Sequence, residues 1–297
     1  MVDKKLASLI HNQVFFHGQL NLLWEGGFEE LLPLNDDFIQ GLLSFKDKYL
    51  IESQQFKEAL DLVTKKVLHQ LWQVNQYIDI RKEDTERLKA IYKETFQSIN
   101  RDNASSMMEK HFQHLSQWIK PFYQPQMVEA LKAQKQIGQV VNNQYSGEFQ
   151  LSQFDLELSE LNFPLLDIGC GEDAGFVEYL RKHNKEAYGI DHLITRPGSY
   201  LWEEHWLDFD YGKDKWSTIW AHMSYTNHMN YHKSHNSPLW SGYAKCFKNI
   251  LDSLIVGGRF CYCPSVPMME EYLNSLEGQP YIIDSPHPNR ICITRRH

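Results

Sequence analysis

The sequence predicts an α/β domain, a parallel sheet closed by a terminal hairpin, preceded by an all-α domain. Three observations carry this. Apolar residues recur at helical spacing through the first 145 residues. After Phe163 the texture changes to short apolar strands alternating with helices, the pattern of a parallel sheet. Within that second part the strand Leu165-Leu166-Asp167-Ile168 runs into Gly169-Cys170-Gly171, and a second acid, Asp191, follows twenty residues after Gly171.

Residues 1–145 are expected to form the helical domain and residues 146–297 the sheet domain. The clearest helix spans residues 54–77, where Phe56, Leu60, Val63, Val67, Leu71 and Val74 recur at three and four residues and make one apolar stripe that must be buried. Asp84 reads as the cap of a helix through Leu88, Ile91, Tyr92 and Phe96, ended by Arg101-Asp102-Asn103. Residues 107–119 are amphipathic and stop before Pro121. Pro125 then opens a helix through Met127, Leu131 and Ile137, because a first helical turn tolerates proline. Phe15-Phe16-His17-Gly18 and Trp24-Glu25-Gly26-Gly27-Phe28 read as hydrophobic clamps between helices, with a substrate lid as the alternative. From Asn142 to Asn162 the pattern loosens, which reads as a linker.

In the second domain, residues 164–168 form the first strand, and residues 175–183 a helix with Phe176, Tyr179 and Leu180 inward. Residues 187–190 make the second strand, Trp206-Leu207 the third and residues 218–221 the fourth. A helix over 243–254, a fifth strand over 259–263 and a helix over 268–276 follow, and residues 281–283 and 291–294 pair as a hairpin around Pro286, His287 and Pro288.

Composition narrows the function. With 42% apolar and 13% aromatic residues the chain can bury a large core. Lys and Arg total 30 against 38 acids, a net charge of -8 shared by both halves, which speaks against a non-specific grip on a nucleic-acid backbone. The five cysteines are odd in number and absent from the first half, so free thiols are expected. Cys261 and Cys263 share one strand face, packed there, with a two-Cys metal clip as the alternative. The start Met1-Val2-Asp3-Lys4-Lys5 leads into a mixed helical pattern and no apolar run approaches ~18 residues, so a soluble cytoplasmic protein is expected, with no membrane partner.

The stretch around Asp167 has the grammar of a nucleotide site. Asp167 closes a strand at the carboxyl edge, where open α/β folds bind ligands. Gly169 and Gly171 remove side chains where a ligand lies on the backbone. Asp191 can accept from two ribose hydroxyls, and Asp208, at the end of the expected third strand, from an adenine amino group. Gly169, Gly171 and Ala174 also satisfy the loose dinucleotide pattern G-x-G-x-x-G/A.

Context favours another family. Leu166-Asp167-Ile168-Gly169-Cys170-Gly171, Tyr188-Gly189-Ile190-Asp191, Leu207-Asp208, the stretch Trp216 through His222 and the helix, glycine pair and strand of residues 250–260 together resemble the class I S-adenosylmethionine-dependent methyltransferases over about residues 163–297. The resemblance implies a seven-stranded Rossmann-like sheet, mostly parallel with an antiparallel last strand, and S-adenosylmethionine as co-substrate. By it, Asp167 and the turn Gly169, Cys170 and Gly171 hold the methionyl end, Asp191 the ribose, His192 the adenine face, and Asp208 with Phe209 the adenine edge. The segment after the fourth strand, from His222 to His232 and then His235, faces the sulfonium. There His222 is placed with the cofactor residues, and Tyr225, Asn227 and His228 are the catalytic candidates. His228 and His232, one helical turn apart, invite a metal, but the segment has no carboxylate to complete a ligand set and no metal is assigned.

Two departures from the family pattern stand out. Asp173, preceded by Glu172, stands in the place of its usual third glycine, and Ser217 in that of an acid near the start of strand four. The expected activity is methyl transfer to a small-molecule acceptor, with the helical domain as a cap. The alternative keeps the fold and uses S-adenosylmethionine as an alkyl donor, by nicotianamine-type aminobutyrate transfer or closure to an azetidine ring, releasing methylthioadenosine. A nucleic-acid acceptor is disfavoured because the N-P-P-Y, D-P-P-Y and Pro-Cys signatures are absent. A non-catalytic binding module is the remaining rival, motivated by Asp173. Oligomeric state is not legible.

Overall fold

A computed structural model describes residues 7–12, 21–25, 36–48, 53–100, 103–123, 125–132 and 145–297. The chain divides into two compact units, Met1–Asn142 and Asn143–His297. Among the sequence-based expectations, those for Phe15 to Gly18, Gly26 to Phe28, Arg101-Asp102, Ile137 and Asn142 to Gln144 lie outside the described residues.

The first unit is helical, with helices Asp36–Lys48, Gln54–Val74, Lys82–Ser98, Ala104–Ile119 and Pro125–Lys132. Ser53 starts the second of these, its hydroxyl accepting from the Phe56 amide at 3.2 Å. The expected stripe is buried at Phe56, Leu60 and Val63, then drifts to Leu68 and Trp72, as a face repeating every four residues does on a 3.6-residue helix. Asp84 is not the cap residue but sits three positions into its helix, where its carboxylate accepts from the Arg81 amide at 3.1 Å. The rings of Phe45, Phe56 and Phe96 meet at 5.8–6.3 Å and centre a core with Ile39, Leu42, Leu60 and Ile99.

The second unit is built on seven strands: β1 Leu165–Ile168, β2 Ala187–Asp191, β3 Leu201–Glu203, β4 Trp216–His222, β5 Leu254–Cys263, β6 Tyr281–His287 and β7 Arg290–Arg295. Their order is β3-β2-β1-β4-β5-β7-β6, parallel through β5, with β7 antiparallel to both β5 and β6. This is the mostly parallel seven-stranded sheet with an antiparallel last strand that the family resemblance implied. β1 is buried along its whole length and β4 almost so, because both faces of the sheet are covered. One face packs on the helix Trp240–Ser253 through Leu166, Ile168, Ile219, Phe247, Phe260 and Tyr262. The other packs on the helix Gly175–Lys182 through Leu165, Phe176, Leu180, Trp220 and Cys261.

Three expectations need correcting. The third strand is Leu201–Glu203, and Trp206-Leu207 lies in the turn beyond it. Trp206 is buried there without being in the sheet, its indole N–H directed to the Tyr243 hydroxyl at 3.4 Å. The supposed linker contains the helix Gly147–Ser152, capped by the Ser146 hydroxyl, and the buried residues Leu151 and Phe154. Finally, Gly257 and Gly258 lie inside β5 rather than before it. Trp216 pairs with Leu254 and Thr218 with Arg259, so residues 255–258 bulge out of register and Gly257 turns at φ +78°.

The five cysteines are thiols, and Cys261 and Cys263 are packed in the face that carries Trp220. No helix of the described residues is long and apolar enough to cross a membrane.

Candidate functional site

The sheet order reverses between β1 and β4, the switch point of an open α/β sheet, where a crevice forms outside the carboxyl ends of the strands. Asp167 belongs to β1 at that edge, and the chain leaves it through a turn whose geometry needs its glycines. Gly169 and Gly171 have φ of +75° and +79°, and a Cβ on Gly169 would stand 2.4 Å from Cβ of Ser224.

The turn is tied on two sides. Gly169 and Cys170 donate to the Ile190 carbonyl at 2.8 and 3.3 Å, and the Gly171 amide donates to Oδ2 of Asp191 at 2.9 Å. The other oxygen of Asp191 accepts from the Leu193 amide at 2.8 Å. On the opposite side the Ser224 hydroxyl donates to the Ile168 carbonyl at 2.6 Å. Asp191 therefore organises both the glycine turn and the turn after β2. It retains lone pairs for a ligand, because a carboxylate has about four acceptor sites.

Asp167 differs. It is buried, and its carboxylate accepts no hydrogen bond among the described residues. Burial, then the charge of Asp191, pushes its carboxyl from 3.8 up to about 8. The Cys170 thiol is held well above its ordinary range by burial, then by the same two acids. The corner is thus a desolvated acidic pair whose electrostatic deficit a cation would fill.

Around it, His192 Nδ1 lies 3.9 Å from Asp191 Oδ1, and its ring meets Trp206 edge-on at 5.9 Å and stacks on His205 at 6.4 Å. Asp208 is exposed in the turn after β3 instead of ending a strand, with its amide donating to the His205 carbonyl. The Phe209 ring packs against Trp202 at 5.4 Å and Tyr211 at 5.1 Å.

Beyond β4 the candidates separate. Tyr225 is fully buried, its hydroxyl donates to the Tyr243 carbonyl at 2.6 Å, and burial holds it well above the ordinary tyrosine range. That engagement makes it a core residue, and it is withdrawn as a catalytic candidate. Asn227 is half-buried and donates to the Met223 carbonyl at 3.1 Å. His228 is buried edge-on against Trp206 at 4.8 Å. His232 stacks on Tyr243 at 5.0 Å, and among the described residues no group of three or more His, Cys, Asp or Glu is placed to hold a metal ion.

His222, the last residue of β4, has the rings of Tyr145 and Phe149 edge-on to it at 5.0 and 6.3 Å. Its Nδ1 is buried without a partner. Burial, then the charge of Arg290, lowers its titration from 6.5 to about 4. Three residues of this edge escape the sequence reading, Tyr145, Phe149 and Arg290, while Ser224 lies in the segment it placed beyond β4 without a role of its own. Only Ser146, a capping serine three residues before Phe149, signals in sequence that an ordered helix follows.

No protein-family model matches the chain, and no curated protein is significantly similar in sequence. Some solved structures show a partial likeness to the chain. The sugar N-methyltransferase of Streptoalloteichus sp. ATCC 53650 is 13% identical, over 51% of this chain and 87% of its own, with a TM-score of 0.37. Magnesium protoporphyrin IX methyltransferase from Synechocystis, solved with S-adenosylmethionine bound, is 12% identical over 79% and 97%, at 0.33. An rRNA methylase from Streptococcus thermophilus is 13% identical over 47% and 92%, at 0.32. Likeness at this level transfers no substrate to this chain.

Proposed function

We propose that the chain is an S-adenosylmethionine-dependent methyltransferase acting on a small-molecule acceptor. One observation carries the reading: at the switch point of the sheet, Asp167 is a buried carboxyl with no hydrogen-bond partner among the described residues, beside a second acid and a glycine turn. A ligand bearing an ammonium and a sulfonium meets that need, whereas the pyrophosphate of a dinucleotide would add anions to it.

In this assignment Asp167 and the backbone of Gly169, Cys170 and Gly171 take the methionyl ammonium. Asp191, held by Gly171 and Leu193, uses its remaining lone pairs on the ribose hydroxyls. His192, packed edge-on against the buried Trp206, offers its ring face to the adenine. Asp208 meets its amino group, and Phe209, anchored by Trp202 and Tyr211, supports the Asp208 turn. The sulfonium supplies an electrophilic methyl carbon when bound, so the protein's remaining tasks are to aim a nucleophile and, for oxygen or nitrogen acceptors, to take a proton. Asn227 and His228 are assigned to the acceptor side. The small-molecule assignment rests on the net charge of -8 and on the absence of base-methylation signatures. The aminobutyrate-transfer alternative has no observation in its favour.

Calorimetry with S-adenosylhomocysteine, followed by mass spectrometry of turnover mixtures, tests this. Micromolar binding and formation of S-adenosylhomocysteine from S-adenosylmethionine are expected. No binding would sink the reading, and methylthioadenosine as the turnover product would replace methylation by alkyl transfer.

A further inference from the structure

The outer part of the carboxyl edge holds a second set of unsatisfied polar atoms that the co-substrate assignment leaves unused. His222 pairs with Cys263 across β4 and β5, and Tyr262 pairs with Ile291 across β5 and β7, which puts Arg290 level with Cys263. Trp220, Cys261 and Cys292 share one face of the sheet, and side chains alternate along strands, so His222, Cys263 and Arg290 form the next row up on that face. Arg290 Nη1 donates to the Pro288 carbonyl at 2.9 Å, and Nη2 donates to Gln153 Oε1. Two of its five N–H groups are so used, and Nε is buried with no partner, as is Nδ1 of His222. No acid is placed in an ion pair with Arg290 among the described residues; Asp155 pairs with His287 at 3.0 Å.

The cover over this row is also fixed. Gln150 accepts from the Trp220 indole at 3.0 Å and donates to the Tyr145 carbonyl at 3.3 Å, which holds the stacked Tyr145 and Phe149 rings over His222. Phe149 remains 43% exposed, so the outer side of this cover faces solvent. An unmade hydrogen bond at a buried polar atom carries a desolvation cost that a ligand with matching acceptors would cancel.

We propose that His222 and Arg290, beneath Tyr145 and Phe149, form a subsite for a carboxylate of the methyl acceptor, an inference that rests on the methyl-transfer reading above. The guanidinium edge offers the planar fork that a carboxylate fits, and the neutral imidazole offers one further N–H. Position selects the acceptor over the methionyl arm. β7 is three strand spacings from β1, about 14 Å, so the guanidinium starts well beyond the Asp167 corner. The flanking aromatic rings suit a flat apolar body behind the carboxylate.

The test uses the full chain saturated with S-adenosylhomocysteine and benzoate as probe, followed by saturation-transfer NMR, with benzamide as the uncharged control. Benzoate is expected to bind at least tenfold tighter than benzamide. Arg290→Gln should remove that difference and Arg290→Lys should restore part of it, while affinity for S-adenosylhomocysteine stays within twofold. Equal binding of benzoate and benzamide, or an unchanged preference in Arg290→Gln, would overturn the subsite. A tenfold loss of S-adenosylhomocysteine affinity in Arg290→Gln, with methylthioadenosine binding unaffected, would reassign the carboxylate to the methionyl arm and overturn the acceptor assignment. Failure of S-adenosylhomocysteine to bind the unaltered chain would strike the methyl-transfer reading instead, and benzoate binding would still be read separately.

Discussion

Asp167 and His222 stand on adjacent strands, and burial moves their titrations in opposite directions. For Asp167 the folded value, about 8, lies above the ordinary 3.8. Between those values the folded chain holds a proton that the unfolded chain has lost, so this group's contribution to stability falls as pH rises through the window. Asp167→Asn should therefore gain stability over the unaltered chain at pH 8.5 and gain less at pH 5, as read by urea denaturation. The same variant should bind S-adenosylhomocysteine ~10–100-fold more weakly, the cost of one charge-assisted contact. A variant that kept its affinity would remove Asp167 from the site. His222 has the reverse sign. Its folded value of about 4 lies below 6.5, so stability rises with pH across that interval and is lost as pH falls through it. His222→Phe, which keeps a ring and removes the titration, should lose less stability than the unaltered chain between pH 6.5 and 4. Tyr225→Phe separates a structural role from a catalytic one. Losing the bond to the Tyr243 carbonyl should cost about 1 kcal/mol of stability and leave kcat within about twofold, and a kcat loss of a hundredfold at intact stability would return Tyr225 to the catalytic list.

At the scale of elements, the glycine turn and the segment after β4 are one unit, because Gly169 has room only for hydrogen against Ser224. Gly169→Ala combines that clash with a φ of +75° and should destabilise the fold by about 1–3 kcal/mol and weaken S-adenosylhomocysteine binding. Adding Ser224→Gly should recover part of the stability through the clash alone, and no recovery in the double variant would show that the backbone angle dominates. The turn itself was legible because its residue types are dictated locally: a strand-end acid, glycines at positive φ and a second acid at a fixed distance. What surrounds it was not. β3 is three residues long at the sheet edge, too short for alternation to register, while in the apolar Trp206-Leu207 pair that imitates a strand Trp206 is buried by a turn packed on Tyr243. The helix Gly147–Ser152 hid in a polar stretch for a related reason. Gly147 is there because a Cβ would meet the Tyr179 ring at 2.4 Å, a tertiary demand that in sequence looks like loop composition.

Across the molecule, the parallel texture and the terminal hairpin were enough to indicate the sheet, since burial on both faces forces near-continuous apolar strands and a hairpin forces the antiparallel end. Arg290 could not be assigned in the same way. It reaches the site through the register of β7 on β5, a pairing between segments about thirty residues apart that no local pattern encodes. That long-range construction has a measurable consequence for ligand binding. The amides of Gly169 and Cys170 donate to Ile190, and those of Gly171 and Leu193 donate to Asp191, so four backbone groups from two strand ends close on one another. A ligand that takes Asp167 and Asp191 together should hold all four closed. At one hundred times its Kd, S-adenosylhomocysteine adds about 2.7 kcal/mol to the folded state, a slowing of exchange of ~100-fold wherever opening requires release of the ligand. Hydrogen exchange at these four amides should slow together by that factor in the unaltered chain and far less in Asp167→Asn at the same ligand concentration. Slowing at Leu193 alone would mean that the ligand touches only the turn after β2, and the acidic corner would then lose its place as the anchor of the site.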